Sequence, residues 1–494
     1  MKIGFDNDKY LETQSLHIRQ RIAQFGGKLY LEFGGKLFDD HHAARVLPGF
    51  APDSKIRMLS QLKEQAEIVI AINANDIEKN KVRGDLGITY DVDVLRLIDN
   101  FRAMDLPVNS VVITRYGGQP AAEAFQSRLE SLNVKVYRHY SIEGYPHNIP
   151  LIVSDEGYGK NEFIETHRPL VVVTGPGPGS GKMAVCLSQL YHEYRTGGKA
   201  GYAKFETFPI WNLPLNHPVN LAYEAATADL NDVNMIDPFH LAAYGKTTVN
   251  YNRDVEIFPV LSTIFEKIIG ECPYKSPTDM GVNMVGNCIV DDDAVCAAAH
   301  QEIVRRYYEA ICDRKQGRGS DETVYQLELL MKQAQIDTSI RKVVARAKAR
   351  AEETCLPAVS IELPDGRLVT GKTTDLMGPS ASALLNALKE LAGIEHDGVH
   401  LISPEAIRPI QRVKVDHLGC KNPRLHSDEI LIALAISATE DPVAAQALAH
   451  LADLRGCQSH STVILSSADW GIYKKLGLQM TCEAQYETNK LFHR

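Results

Sequence analysis

Residues 171–185 read VVVTGPGPGSGKMAV. Three apolar β-branched residues run into a turn with four glycines, two prolines and a lysine, and an apolar helical pattern follows directly. A strand, a glycine-rich turn and a helix start in that order form the layout that cradles phosphate. Successive backbone N–H groups point at the anion, the helix N-terminus favours its charge, and a lysine reaches the outer oxygens. Pro176 and Pro178 cannot donate, so the usable amides are those of Gly177, Gly179, Ser180, Gly181, Lys182 and Met183. Enough donors remain to hold an anion.

Two positions depart from the usual phosphate loop. Pro176 stands where such a loop starts with glycine, and Met183 stands where a serine or threonine normally ligates Mg²⁺. A register for the dinucleotide fingerprint is also absent, because Gly175, Gly177, Gly179 and Gly181 alternate. The expected ligand contacts are therefore Gly175, Gly177, Gly179, Ser180, Gly181 and Lys182. Any metal-nucleotide, ATP or GTP with Mg²⁺, has to borrow carboxylates from downstream. The candidates are Glu206 at the end of the AKFE strand, then Asp229 and Asp237 in TADLNDVNMIDPFH, with Asp254 behind them. Lys182, Asp229 and Asp237 are the candidate catalytic residues, the acids serving as metal ligands or as a base toward a substrate hydroxyl. Asp232 reads as a solvated loop acid, while His240, Lys204 and Lys246 stand near enough in sequence to pair with phosphate.

Outward from this loop, the chain reads as a multidomain α/β protein. KLYLEF (28–33), EIVIAI (67–72), SVVITR (110–115) and VKVYRH (134–139) are short apolar strands, and amphipathic segments separate them. Alternation of this kind predicts parallel strands covered by helices. Residues 1–165 are expected to form a Rossmann-like domain, 166–354 a phosphate-loop α/β domain with a long functional loop and a helical segment, and 355–494 a smaller C-terminal α/β domain. In the last, AVSIELPDGRLVTGKTT reads as a hairpin turning at Asp365-Gly366, and GVHLIS and STVILS read as further strands. Paired glycines follow two N-terminal strands, at Gly34-Gly35 and Gly117-Gly118, and read first as turns. Ser380 and Ser382 read as helix N-caps, and the spacing of His417, Cys420, His426 and Asp428 matches no zinc pattern.

The 494 residues suggest roughly two to four domains. Nine scattered cysteines without a CxxC pair predict reduced thiols and a cytoplasmic protein, and the charged N-terminus carries no export signal. A net charge of −9 offers no general attraction to nucleic acid or to a membrane surface. The expected partner is a small phosphorylated ligand, and the alanine-rich C-terminal helices suit packing between identical subunits.

Taken together, GPGPGSGKMAVCLSQLYHEY, YAKFETFPIWNLPLNHPVNLAYEAATADLNDVNMIDPFH and KNPRLHSDE resemble a bacterial family of large cytosolic proteins catalogued as a domain of unknown function, over nearly the full length. The resemblance implies an α/β architecture and brings no catalytic residues with it. A resemblance to phosphate-loop nucleotide-binding proteins is confined to residues 171–195. Three functions fit these readings: phosphoryl transfer or hydrolysis on the Gly175–Met183 loop, a ligand sensor or oligomeric scaffold, and a dinucleotide- or sugar-nucleotide-dependent transferase using the N-terminal glycine turns.

Overall fold

The computed structural model describes residues 2–84, 86–395 and 398–488. It resolves into two compact units, one of residues 2–224 and 230–298, the other of residues 225–229 and 299 onward.

The first unit is built on a six-stranded sheet. In spatial order its strands are Lys135–Tyr140, Val108–Tyr116, Ala66–Asn73, Leu170–Thr174, Leu29–Phe33 and Gly201–Phe205. All five pairings are parallel. Leu29–Phe33, Leu170–Thr174 and Gly201–Phe205 are buried at every position, as strands covered on both faces must be, so they read as apolar runs and not as alternation. On one face Val171 and Val173 pack with Val185, Cys186 and Leu190 of the helix Lys182–Arg195 and with Phe258, Leu261 and Phe265 of the helix Asn252–Ile269. Each such side chain contributes about 1.5–3 kcal/mol on burial.

The boundary expected near residue 165 runs through this sheet. Leu170–Thr174 inserts between Leu29–Phe33 and Ala66–Asn73, so strands from both sides of that position share one set of hydrogen bonds. Strand order, not chain order, defines the unit. The segment expected as a long functional loop contains the helix Pro218–Ala226, a two-stranded antiparallel ribbon of Asn234–Ile236 with Val249–Tyr251, and the helix Pro238–Tyr244.

The second unit carries a four-stranded sheet in the order Leu368–Lys372, Ala358–Glu362, Gln458–Ser461, Gln479–Cys482. The hairpin at Asp365-Gly366 is present, and only the last pair is parallel. Helices Pro379–Leu391, Ser427–Ser437 and Pro442–Ala449 bury Leu384, Leu388, Ile430, Leu434 and Ala447 against it. The contact boundary falls within the helix Asp292–Lys315, well before residue 355. Residues 398–403 are not a strand: Ser403 accepts the amide of Ala406 and starts the helix Pro404–Arg412. The strand expected over STVILS ends at Ser461, whose hydroxyl bonds the carbonyl and amide of Val463 and turns the chain. Among the described residues, no helix is long and apolar enough to cross a membrane.

Candidate functional site

The 175–183 loop leaves the carboxyl end of Leu170–Thr174. From the neighbouring strand Ala66–Asn73 the chain moves toward one edge of the sheet, and from Leu170–Thr174 it moves toward the other. Ligands of open parallel sheets sit where connections diverge in this way. Gly179 and Gly181 have φ of 77° and 91°, in the left-handed region that suits glycine. The loop is tied down by its neighbours: Asn73 Nδ2 donates to the Gly179 carbonyl at 3.3 Å and Thr114 Oγ1 to the Ser180 carbonyl at 2.8 Å. A side chain at Gly177 would meet the Tyr90 hydroxyl at 2.3 Å, and one at Gly181 would meet Thr114 at 2.9 Å. Glycine is required here by contact as well as by backbone angle.

Lys182 begins the helix and folds back over its own loop, with Nζ 3.4 Å from the Gly177 carbonyl and 3.5 Å from Ser180 Oγ. Burial lowers its pKa, against the opposing pull of Glu32 and Glu206. Met183 packs against the apolar core, which explains methionine in place of the usual hydroxyl residue: the side chain is used for packing.

Beside the loop lies a buried charged cluster that few sequence signals announce. Lys204 Nζ donates to both oxygens of Asp254 at 2.6 Å, contacts the Tyr251 hydroxyl, and stands 3.3 Å from Glu206 Oε1. Burial alone would weaken the lysine's charge, yet Asp254 and the neighbouring acids raise its pKa. Glu206 accepts from Tyr251 at 2.9 Å. Burial first, then Asp254 and Glu32, outweigh Lys204 and push the Glu206 carboxyl up to about 7. Glu32 accepts from Tyr202 at 2.6 Å. Gly34 belongs to this site, because a side chain there would strike Glu206 Cγ at 2.7 Å. Gly117-Gly118 does not take part; it turns at the surface, where Gln119 Oε1 accepts the Gly117 amide.

Next to the cluster a small cleft of about 50 Å³ is lined by Lys204, Glu206, Phe208, Trp211, Asp254 and Asn283, among others. Phe208 is stacked on Tyr223 with ring centroids 5.6 Å apart, and the Trp211 indole N–H donates to the Asn283 carbonyl at 2.8 Å. Both rings are thereby held in place.

The remaining expected residues fall elsewhere. Asp237 caps the helix Pro238–Tyr244: it accepts the amides of Phe239 and His240 and the amide and hydroxyl of Thr278, and it is fully buried. Four donors on its two oxygens hold it in that capping position. Asp229 is an exposed acid in the turn Ala228–Leu230. Asp232 is buried against Arg253, 2.6 Å away, and is not a solvated acid. His240 bonds Ser276, and Lys246 is exposed. In the second unit Gly378, not Ser380 or Ser382, occupies the N-cap, and both serine hydroxyls are buried without a hydrogen-bond partner among the described residues. His426 instead pairs with Asp469 at 2.8 Å.

Among the described residues, one group of three side chains has metal-ligand atoms close together: His217, Asp292 and Cys296. His217 Nε2 lies 3.0 Å from Asp292 and 3.6 Å from Cys296 Sγ. Its Nδ1, however, accepts the Val219 amide at 3.2 Å, which places the ring proton on Nε2, aimed at Asp292. A metal-bound histidine donates from its other nitrogen. The arrangement is that of a helix cap, and burial, with Asp292 beside it, raises the Cys296 thiol to about 11.

Residues 3–335 match the family described as "Domain of unknown function DUF1846, N-terminal", and residues 339–492 match its C-terminal counterpart. The chain is 59% identical to a UPF0371 protein of Streptococcus sanguinis (strain SK36). It is 58% identical to UPF0371 proteins of Streptococcus pneumoniae (strain JJA) and Streptococcus thermophilus (strain CNRZ 1066). Each alignment covers 493 residues and 100% of both chains. The junction between the two matched regions falls close to Arg341, far from residue 165 and within the second structural unit. On both matches and at this level of identity, the chain belongs to the DUF1846 family.

Proposed function

We propose that this protein binds the phosphate group of a small metabolite on the Gly175–Met183 loop and acts on it by phosphoryl transfer or hydrolysis. One observation carries the reading: Lys182 lies folded over a loop that Asn73, Thr114 and Tyr90 hold in place at the head of a helix. Loop and ammonium are held in place before any ligand arrives, which is the condition under which electrostatic stabilisation of phosphate is strongest. Lys182 supplies the positive charge, and Glu32 and Glu206 act on it electrostatically. Glu206, not Asp229 or Asp237, is the carboxyl group suited to exchange a proton at the site, because its environment brings it near neutrality.

Thermal denaturation with inorganic phosphate, pyrophosphate and ATP, each with and without Mg²⁺, tests the reading. Phosphate-dependent stabilisation that disappears in Lys182→Ala is expected; at a hundred times Kd it amounts to about 2.7 kcal/mol. Stabilisation unchanged in Lys182→Ala, or none by any phosphate compound, sinks it.

A further inference from the structure

The strand Val108–Tyr116 is irregular where it meets the loop. Ile113 pairs with Arg138 and Tyr116 with Tyr140, so this strand takes up one residue more than its neighbour at Thr114 and Arg115, which is a β-bulge. Thr114 grips the loop, through its bond to the Ser180 carbonyl and its close approach to Gly181. Arg115, the next residue, has a φ of 50°. The other non-glycine residues with left-handed φ are Asn80, Asp105, Asn133, Asn231, Gln335 and Cys355, and each stands at the end of a helical segment, where such a φ closes the last turn. Among the described residues, Arg115 alone holds it within a strand. Glycine would adopt this angle without strain, yet the position carries a long charged side chain.

That side chain is uncommitted. Arg115 is exposed, its carbonyl accepts Gln119 Nε2 at 3.1 Å, and its guanidinium has no hydrogen bond or ion pair among the described residues. By contrast Lys81 pairs with Asp76 at 3.3 Å, Arg83 with Asp93 at 2.8 Å and Lys204 with Asp254 at 2.6 Å. A guanidinium is a planar fork that holds a phosphoryl or carboxyl group at two points. Standing one residue from Thr114, this one adjoins the end of the loop where Lys182 begins its helix. Bulges beside ligand sites re-aim a side chain in this way.

We infer that Arg115 receives a second anionic group, phosphoryl or carboxyl, of the ligand whose phosphate occupies the Gly175–Met183 loop. This rests on the reading of that loop as the phosphate site. The substrate class is then a diphosphate or a phosphorylated carboxylic acid, and the phosphate monoester of a neutral alcohol is a poor ligand. Arg115 is the specificity-determining residue.

Isothermal titration of the full chain with inorganic phosphate, glycerol 3-phosphate, pyrophosphate and 2-phosphoglycolate tests the assignment. Pyrophosphate or 2-phosphoglycolate is expected to bind fivefold or more tightly than both inorganic phosphate and glycerol 3-phosphate, and whichever does so identifies the second group. Arg115→Gly and Arg115→Gln are expected to bring that advantage below fivefold. Arg115→Gly is also expected to keep or raise the urea midpoint, because glycine relieves the backbone strain; a purely structural arginine would lower it. An advantage below fivefold in the wild type, an advantage of fivefold or more kept by either variant, or a midpoint lowered in Arg115→Gly overturns the role of Arg115 and leaves the phosphate site standing. Failure of all four compounds to bind the wild type, or binding unchanged in Lys182→Ala, overturns the phosphate site itself and this inference with it.

Discussion

Lys204 and Asp254 form a buried two-point ion pair, with Nζ 2.6 Å from each carboxylate oxygen and both side chains 8% exposed. The lysine comes from an apolar strand and the aspartate from the first turn of the helix Asn252–Ile269. Removing one member leaves the other charged in a low-dielectric setting, so Asp254→Ala is expected to cost about 3–5 kcal/mol, measured by urea denaturation. The double change Lys204→Met with Asp254→Leu is expected to recover most of that loss, because no uncompensated charge is left behind.

Glu206 links folding to pH. The unfolded carboxyl titrates near 4.5 and the folded one near 7, so the folded state holds the extra proton between those values. Stability therefore falls as pH rises through that window, by at most about 1.4 kcal/mol per pH unit. Denaturation midpoints from pH 4.5 to 7.5 are expected to show this component in the wild type and to lack it in Glu206→Gln. A Glu206→Gln profile that keeps the full slope argues against the assignment.

The glycines of the loop are not equivalent. Gly181→Ala adds a Cβ 2.9 Å from Thr114 at a φ of 91°, whereas Gly179→Ala meets nothing within 4 Å at a φ of 77°. The first is expected to cost on the order of 2–3 kcal/mol and the second about 1 kcal/mol. Only Gly181→Ala is expected to abolish phosphate binding, as read by calorimetry alongside denaturation.

Met183→Thr, which restores the hydroxyl of the usual phosphate loop, is expected to lower stability by about 1 kcal/mol, because the methionine packs into the core. It is expected not to create a Mg²⁺ dependence of ligand binding.

His217→Ala is expected to cost about 1 kcal/mol through the lost cap on the helix Pro218–Ala226. Zn²⁺ is expected to leave the melting temperature of the wild type unchanged. A Zn²⁺-dependent rise that His217→Ala removes would contradict the cap.

The VVVT strand, the glycine turn, Lys182 and the following helix were all legible, because each depends on local rules: apolar runs, backbone freedom at glycine, and a helix start. The parallel character of the first sheet followed from strand–helix alternation for the same reason. Acids were harder to judge. Asp237 sits in a proline context that fixes its position, but a cap fixes an aspartate as well as a metal does, and only the partners distinguish them. Glu32 and Lys204 lie within apolar strands, where a charge is a visible anomaly; that signal could have marked the site, but the reading of the sequence did not use it.

By itself, the sequence determined the element types around residues 171–195, the need for glycine in that loop, and the absence of the hydroxyl that Met183 replaces. Tertiary structure alone decided that Leu170–Thr174 inserts between two strands from far earlier in the chain, which brings Glu32, Lys182, Lys204, Glu206 and Asp254 into mutual electrostatic reach. The reason is physical. Strand order is set by which apolar faces and crossovers can be satisfied together over a hundred residues or more, and no local spacing encodes it. The neighbours of a carboxylate, and with them its charge and role, are settled only once that order exists.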